Sequence, residues 1–218
     1  MKLFTYWRSQ ASYRVRIALA LKGLEAELVT LDLLKGDQFV DGYRALNPEM
    51  VVPTLVEGDH PPLSQSLSIL EFLDEQHPKP ALLPADPYAR ARVRALAQVV
   101  AMDAHPFIVP RVRKYLEHEL GLSEPTRNTW LAHWLTTASH AVETMLARDP
   151  RTGRYCHGDQ VTIADICLVA HLTSAKMLCG LDVEAYPTAG RIFTACMQLD
   201  AFASTHPLRQ PDAPGASG

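Results

Sequence analysis

Tyr6-Trp7-Arg8-Ser9-Gln10-Ala11-Ser12-Tyr13-Arg14-Val15-Arg16-Ile17-Ala18-Leu19-Ala20-Leu21-Lys22-Gly23 is the stretch on which the fold turns. A short strand pattern, residues 2–6, precedes it. A polar turn then opens into a helix expected over 12–22. Val15, Ala18 and Leu19 share one face of that helix, and Ile17 and Leu21 an adjoining one. Gly23 supplies a C-terminal stop, and Lys22 sits in the last turn, where the helix dipole favours a cation. A strand that feeds a helix through a tight polar turn presents unpaired N–H groups and the positive end of a dipole. Ser9, Gln10 and Ser12 add side-chain donors there, and Arg8 and Arg14 add charge. The turn therefore reads as an anion site suited to a thiolate.

Working outward, Glu27 to Leu31 reads as a second strand. Residues 35–46 are polar with a weak helical pattern. In Asn47-Pro48-Glu49-Met50-Val51-Val52-Pro53-Thr54-Leu55-Val56, Pro53 belongs at a strand start or in a turn, because it has no N–H for the ladder. Glu57-Gly58-Asp59 marks a hairpin, Pro62-Leu63-Ser64 its return strand, and Ser66 is the expected cap of a third helix over 67–76. Strand–helix–strand–helix–strand–strand–helix in under about 80 residues is a compact α/β unit with one parallel crossover and one hairpin.

The stretch 77–87 holds four prolines and reads as a stiff linker. Beyond it the pattern is helical. Leu131, Trp134, Leu135, Ala138, Val142 and Met145 recur at threes and fours along a helix expected over 125–147, with Ser123 or Glu124 at its cap. Trp130 and Trp134 are expected in the core. Thr162 with Asp165 three residues on is a capping box, and the segment after it is apolar nearly all round, so it should be the buried centre of the second half. The tail from Pro211 onward is expected to fray.

The chain has 218 residues, 47% of them hydrophobic and 21% charged, with a formal net charge of −3. That balance describes a globular protein with a sizeable core and gives nucleic acid no general attraction. No window reaches the ~18 apolar residues of a membrane-spanning helix, and the N-terminus enters a strand pattern without a signal-peptide layout. Cys156, Cys167, Cys179 and Cys196 lack metal-ligand spacing and read as free thiols in a reducing cytoplasm. Arg8, Arg14, Arg16, Arg111 and Arg113 are the cations expected to gather in one cleft.

A series of segments in chain order resembles the zeta class of glutathione transferases, the family of the maleylacetoacetate and maleylpyruvate isomerases. They are Trp7-Arg8-Ser9 with Arg14 to Gly23; Ala45-Leu46-Asn47-Pro48 with Val52-Pro53-Thr54-Leu55; Gln65-Ser66; Gly158-Asp159 through Asp165; and His206-Pro207-Leu208-Arg209-Gln210-Pro211-Asp212. The resemblance implies an α/β thioredoxin-like domain over 1–80, a linker over 81–87, and an all-α C-terminal domain over 88–218. It implies a homodimer with glutathione as cofactor and a small dicarboxylic keto acid as substrate. Ser9 is then the catalytic residue, hydrogen-bonding the glutathione sulfur. Gln10, Ala11 and Ser12 border the tripeptide, Gln38 holds its glycyl end, and Val52 pairs with the cysteinyl moiety beside a cis Pro53. Gln65 and Ser66 take the γ-glutamyl carboxylate, while His105, Val109 and Arg111 belong to the helical side of the cleft. Arg8 and Arg111 are the implied substrate cations, with Lys176 third.

Two positions depart from the family pattern. Gln10-Ala11 stands where Ser-Cys is usual, and Met177 stands where the isomerases tend to carry an arginine. Lys176 beside it supplies charge without the bidentate fork. The implied reaction is cis–trans isomerisation of a maleyl group to its fumaryl isomer. Conjugation of glutathione to small α-halo acids or other electrophiles is the alternative, and a non-catalytic binding protein the third.

Overall fold

The computed structural model describes residues 1–215. Its elements, in chain order, are β1 (Lys2–Thr5), α1 (Gln10–Lys22), β2 (Glu27–Thr30), α2 (Asp41–Leu46), β3 (Thr54–Val56), β4 (Leu63–Ser64), α3 (Ser66–Gln76), α4 (Pro87–Met102), α5 (Pro110–His118), α6 (Glu124–Arg148), α7 (Ile163–Cys179), α8 (Pro187–Met197) and α9 (Asp200–Ala203). They fall into two units. One comprises 1–82 together with the chain from Leu199 onward, and the other Leu83–Gln198.

In the first unit β1 turns Leu3 and Thr5 inward. It pairs in parallel with β2, Leu3 opposite Leu28, and antiparallel with β3, Leu3 opposite Leu55. β4 closes the order β2-β1-β3-β4. A parallel neighbour needs a crossover, and α1 supplies it. Its first ten residues, Gln10 to Leu19, are all buried, so α1 is the centre of this unit rather than the two-faced helix its apolar spacing suggests. Gly23, at φ 64°, closes it in the left-handed conformation, with its N–H on the Ala20 carbonyl. Lys22 does more than face a dipole. Its Nζ donates to Asp74 Oδ1, the His77 carbonyl and the Pro80 carbonyl, each at 2.6 Å. The Asp74 carboxylate also accepts from Leu82 N. These bonds and the burial of Leu82 fasten the proline-rich stretch to α3.

Several expectations need correction. α1 starts at Gln10, two residues early, because Ser9 is an effective cap and nothing in Gln10-Ala11 opposes helix. β2 is the sheet edge, so three of its four residues are exposed despite their β-branched, apolar character; burial begins beyond it, at Leu31. In the helix over 66–76 Gln65 occupies the N-cap position without a side-chain bond to the helix, and Ser66 is the first helical residue. The end of the chain packs with the first unit rather than with the helical one. Tyr13 Oη donates to the Phe202 carbonyl at 2.9 Å, and Ala213 is buried, so residues 211–213 do not fray; the remainder of that expectation, past residue 215, lies outside the described residues.

The second unit is built around α7, in which every residue from Ile163 to Ala175 is buried. Ser139 on α6 and His171 on α7 pair at 2.9 Å inside it. Asp165 anchors the start of α7. Its Oδ2 accepts from Thr162 N and Thr162 Oγ1, both at 2.8 Å, and its Oδ1 from Cys156 N at 2.7 Å. Gly153 is required one turn earlier, since a Cβ there would lie 2.5 Å from the Gly158 carbonyl oxygen. Ser123 caps α6 through Thr126 N. Trp130 and Trp134 are half-buried rather than core. Phe107 stacks on Trp134 with centroids 4.2 Å apart, and Trp130 Nε1 donates to the Phe107 carbonyl, so the pair pins the turn His105–Phe107.

Asp149 joins the end of α6 to α4. It takes Arg151 Nε at 3.0 Å and Nη2 at 2.7 Å, and Arg92 Nε at 2.7 Å. Those bonds, Arg151's first, hold its carboxyl well below the ordinary carboxylate range. A depressed value in the folded state means that this stabilisation is full above the unfolded value of about 4 and is lost as pH falls below it. Asp149→Asn should therefore cost about 2 kcal/mol in urea unfolding at neutral pH. The gap to wild type should narrow on acidification below about pH 4; a gap independent of pH would remove Asp149 from the acid response.

Candidate functional site

The β1–α1 turn places Ser9 at the N-cap, with φ −68° and ψ 117°. Ser9 N donates to the Tyr6 carbonyl at 3.0 Å, and Ser9 Oγ accepts from Ser12 N at 3.2 Å. That geometry spends a lone pair of Oγ on the helix and leaves its proton free to donate outward. Gln10 and Ser12 follow, both buried. Neither amide atom of Gln10 nor Ser12 Oγ has a protein partner. Buried polar atoms are seldom left unsatisfied, each costing about 1–3 kcal/mol, so three of them at one helix start fit a polar ligand. Ala11 is buried beside them and contributes no polar atom.

A second helix start adjoins the first. Gln65 has φ 66° and ψ 110°, a conformation that strains any residue but glycine, and no side chain caps α3. Its first N–H groups therefore remain available to an anion. Arg14, fully inside α1, donates Nη1 to Ser66 Oγ at 3.1 Å and so brings the two helix starts together. Gln65 Nε2 donates to Glu49 Oε2 at 2.8 Å, which ties the start of α3 to the loop before β3.

That loop holds Val52 and a cis Pro53. Asn47 Nδ2 donates to the Val51 carbonyl at 2.8 Å and to Thr54 Oγ1 at 3.0 Å, and Tyr43 Oη donates to the same Val51 carbonyl. Burial raises Tyr43's pKa, which keeps it protonated as that donor. Beneath it Tyr6, Leu31, Leu33, Tyr43 and Val52 form a small core of their own, on which Phe4, Trp7 and Leu46 pack. Gln38 sits in the turn Asp37–Phe39, buried, with Oε1 unpartnered and Nε2 3.5 Å from the Leu33 carbonyl. Asp32 and Asp37 brace this turn: Asp32 N donates to Asp37 Oδ2 at 2.8 Å, and Leu34 N to Asp32 Oδ1 at 2.9 Å.

One of the arginines expected to gather in a cleft is not available as a ligand group. Arg16 is buried and spends its guanidinium on Thr5 Oγ1 and the Tyr6 and Trp7 carbonyls. Burial pulls its pKa down to about 10, against the opposing pull of Asp212's charge. It is a brace for the turn and not a ligand group. Arg8 is half-buried with its guanidinium 5.7 Å from the Trp7 ring centroid.

Four expected residues belong to the second unit. His105 is in the turn that Trp130 and Trp134 pin through Phe107, Val109 occupies the N-cap position of α5 without a side-chain bond, and Arg111 is exposed in the first turn of α5. Lys176 is exposed in the last turn of α7, next to a half-buried Met177. Among the described residues no cluster of His, Cys, Asp or Glu is placed to hold a metal ion, and no helix is long and apolar enough to cross a membrane.

Tyr43, Asn47, Glu49 and Asp212 were not singled out from the sequence. The only signal for the first three was their place around the Val52-Pro53 segment, and for Asp212 its place in the last of the resembling segments.

Residues 3–81 match the glutathione S-transferase N-terminal domain family. A maleylpyruvate isomerase from Ralstonia sp. is 44% identical over 213 residues, 98% of this chain and 100% of the relative. A maleylacetoacetate isomerase from Methylobacterium extorquens AM1, solved with bound malonate and glutathione, is 47% identical. It superposes with a TM-score of 0.96 over 99% of this chain and 100% of its own. The holo structure of a maleylpyruvate isomerase described as a bacterial zeta-class glutathione transferase gives 44% identity and a TM-score of 0.94, over 98% of this chain and 100% of its own.

Proposed function

The chain belongs to the zeta-class glutathione transferases, and from that premise we propose how its residues carry a cis–trans isomerisation. It is a glutathione-dependent isomerase of the maleylacetoacetate and maleylpyruvate type. The observation that carries the mechanism is the Ser9 hydroxyl, whose oxygen is occupied by Ser12 N while its proton is free.

Glutathione held beside Ser9 would supply a thiolate, the nucleophile for reversible addition to the cis double bond of the maleyl group, which frees that bond to rotate before the thiolate is released unchanged. Ser9 donates its O–H to that sulfur, and the N-terminus of α1 adds its partial positive charge; both favour the ionised form at neutral pH. Ala11 offers no further donor, so the burden falls on Ser9. The uncapped start of α3, with Arg14 beneath Ser66, holds the γ-glutamyl carboxylate through backbone N–H groups. Gln65 keeps that start in place through Glu49. Val52 pairs its backbone with the cysteinyl unit beside cis Pro53, Gln38 serves the glycyl end, and Gln10 and Ser12 supply the unpartnered polar atoms along the tripeptide. His105 and Val109 border the cofactor from the helical domain, as the resemblance implies.

The substrate is a small dicarboxylic keto acid, and cations must orient it. We assign this to Arg8 and Arg111, with Lys176 third because Met177 brings no charge. Arg111→Ala should raise the substrate KM about tenfold with little change in that for glutathione; equal rises would reassign Arg111 to the cofactor. A homodimer in a reducing cytoplasm, with four free cysteines, completes the proposal.

The test is isomerisation of maleylpyruvate and of maleylacetoacetate, followed by absorbance with and without glutathione. Turnover of either only when glutathione is present supports the reading, and the faster one names the substrate. Turnover of neither, with conjugation of an α-halo acid instead, would favour the transferase that Ala11 and Met177 make the alternative.

A further inference from the structure

The segment His206 to Asp212 marks the family in the sequence, yet nothing in the mechanism above uses it. In the structure it returns to the β1–α1 turn. Asp212 Oδ2 accepts a hydrogen bond from Trp7 N at 2.8 Å, across 205 residues of chain. On the other side of Trp7, Arg16 Nη2 donates to the Trp7 carbonyl at 3.1 Å, and Arg16 Nη1 to the Tyr6 carbonyl at 3.4 Å. The peptides before and after Trp7 are thus each held by a charged side chain. Arg16 is itself tied to the returning segment through the Thr205 carbonyl at 3.4 Å, and Tyr13 through the Phe202 carbonyl. Asp212 Oδ1 is buried without a hydrogen-bond partner, and the charge of Asp212 opposes the effect of burial on Arg16. Trp7 in turn carries Arg8 against its ring and leads directly into Ser9.

We propose that Asp212 is a positioning residue: with Arg16 it straps the backbone at Trp7, and so fixes where Arg8 and the Ser9 hydroxyl point. The proposal rests on the isomerase reading for its catalytic half, and on geometry alone for its structural half. The strap contributes no group to the reaction. It acts through alignment, in which an error of about 1 Å is enough to cost ~10²-fold in rate. A side chain that only stabilised the fold would lower the melting temperature and leave the turnover of the folded molecules unchanged.

The experiment compares wild type, Asp212→Ala and Asp212→Asn in the full chain, at a temperature where all three are folded by circular dichroism. Asp212→Ala should lower kcat by about tenfold or more while glutathione Kd, by calorimetry, shifts less than about threefold. Asp212→Asn keeps an acceptor oxygen for Trp7 N and should recover most of that loss. Hydrogen exchange of peptides spanning residues 5–12 should quicken about tenfold in Asp212→Ala, with α7 peptides unchanged. Unchanged exchange in that turn, or kcat within about twofold of wild type, overturns the strap. A wild type without isomerase activity overturns the functional reading instead, and the exchange comparison still decides the strap.

Discussion

Ser9→Ala lowers kcat/KM for isomerisation roughly tenfold to a hundredfold, the range set by one hydrogen bond to a charged group at about 1.5–3 kcal/mol. Two roles are lost together in this variant. The Ser9 oxygen caps α1 through Ser12 N, and removing a serine cap costs about 1 kcal/mol of stability. Its proton stabilises the thiolate. Ser9→Asp separates the two. Aspartate caps a helix as well as serine does, so stability should return to the wild-type level. Its carboxylate repels the thiolate, so turnover should fall at least as far as in Ser9→Ala. The pH profile carries the same information with a definite sign. Loss of the donor raises the pKa of the bound thiol, so the alkaline rise of kcat moves to higher pH. Ser9→Thr keeps the hydroxyl and should retain most activity. A Ser9→Ala enzyme with unchanged turnover at neutral pH would remove Ser9 from the mechanism.

Asp165→Ala should be the most destabilising single substitution proposed for this chain, at about 3–5 kcal/mol. The carboxylate is buried and accepts from two backbone N–H groups and one hydroxyl. Deleting it orphans all three donors and uncaps the helix around which the second unit packs. Native stability is only about 5–15 kcal/mol in total, so the helical unit is the first to be lost. Burial holds the Asp165 carboxyl above its ordinary range, against the three donors. Its own titration therefore favours the fold below the unfolded value and loses that advantage as pH rises through the folded one, opposite in sign to Asp149. Asp165→Asn keeps one acceptor but turns an amide N–H₂ toward a donor, so it should recover little. Urea unfolding followed by far-ultraviolet circular dichroism measures all of this. A loss below about 1 kcal/mol for Asp165→Ala would mean that other contacts hold the start of α7.

Features that depend on neighbours in the chain were readable from the sequence. Gly23 ends α1 as its position requires, Gly58 turns the β3–β4 hairpin, and the Thr162–Asp165 spacing forms its capping box. What was not readable depends on partners far along the chain. Ser66 looked like a cap, but Arg14 from α1 takes its hydroxyl and the strained Gln65 occupies the cap position. Arg16 looked like a ligand group, but the carbonyls of the turn and of Thr205 take its guanidinium. β2 has the composition of a buried strand and lies at an edge because no further strand pairs outside it in the sheet order. Trp130 and Trp134 have core periodicity, yet they are drawn to Phe107 at the margin of their unit. Within the site the same division holds. The place of Ser9 in the turn before α1 was legible locally, whereas its catalytic role came only with the family resemblance; the tie from Gln65 to Glu49 and the tie from Asp212 to Trp7 have no local signature.

The most direct test of the central claim is a thiol count during turnover. Purified enzyme with a maleyl keto acid in large excess over glutathione is sampled for free thiol by a disulfide reagent while absorbance follows the fumaryl product. An isomerase regenerates its cofactor, so each glutathione should serve about a hundred or more conversions with the thiol titre constant. Loss of one thiol per product formed would contradict the isomerase and make this chain a conjugating transferase.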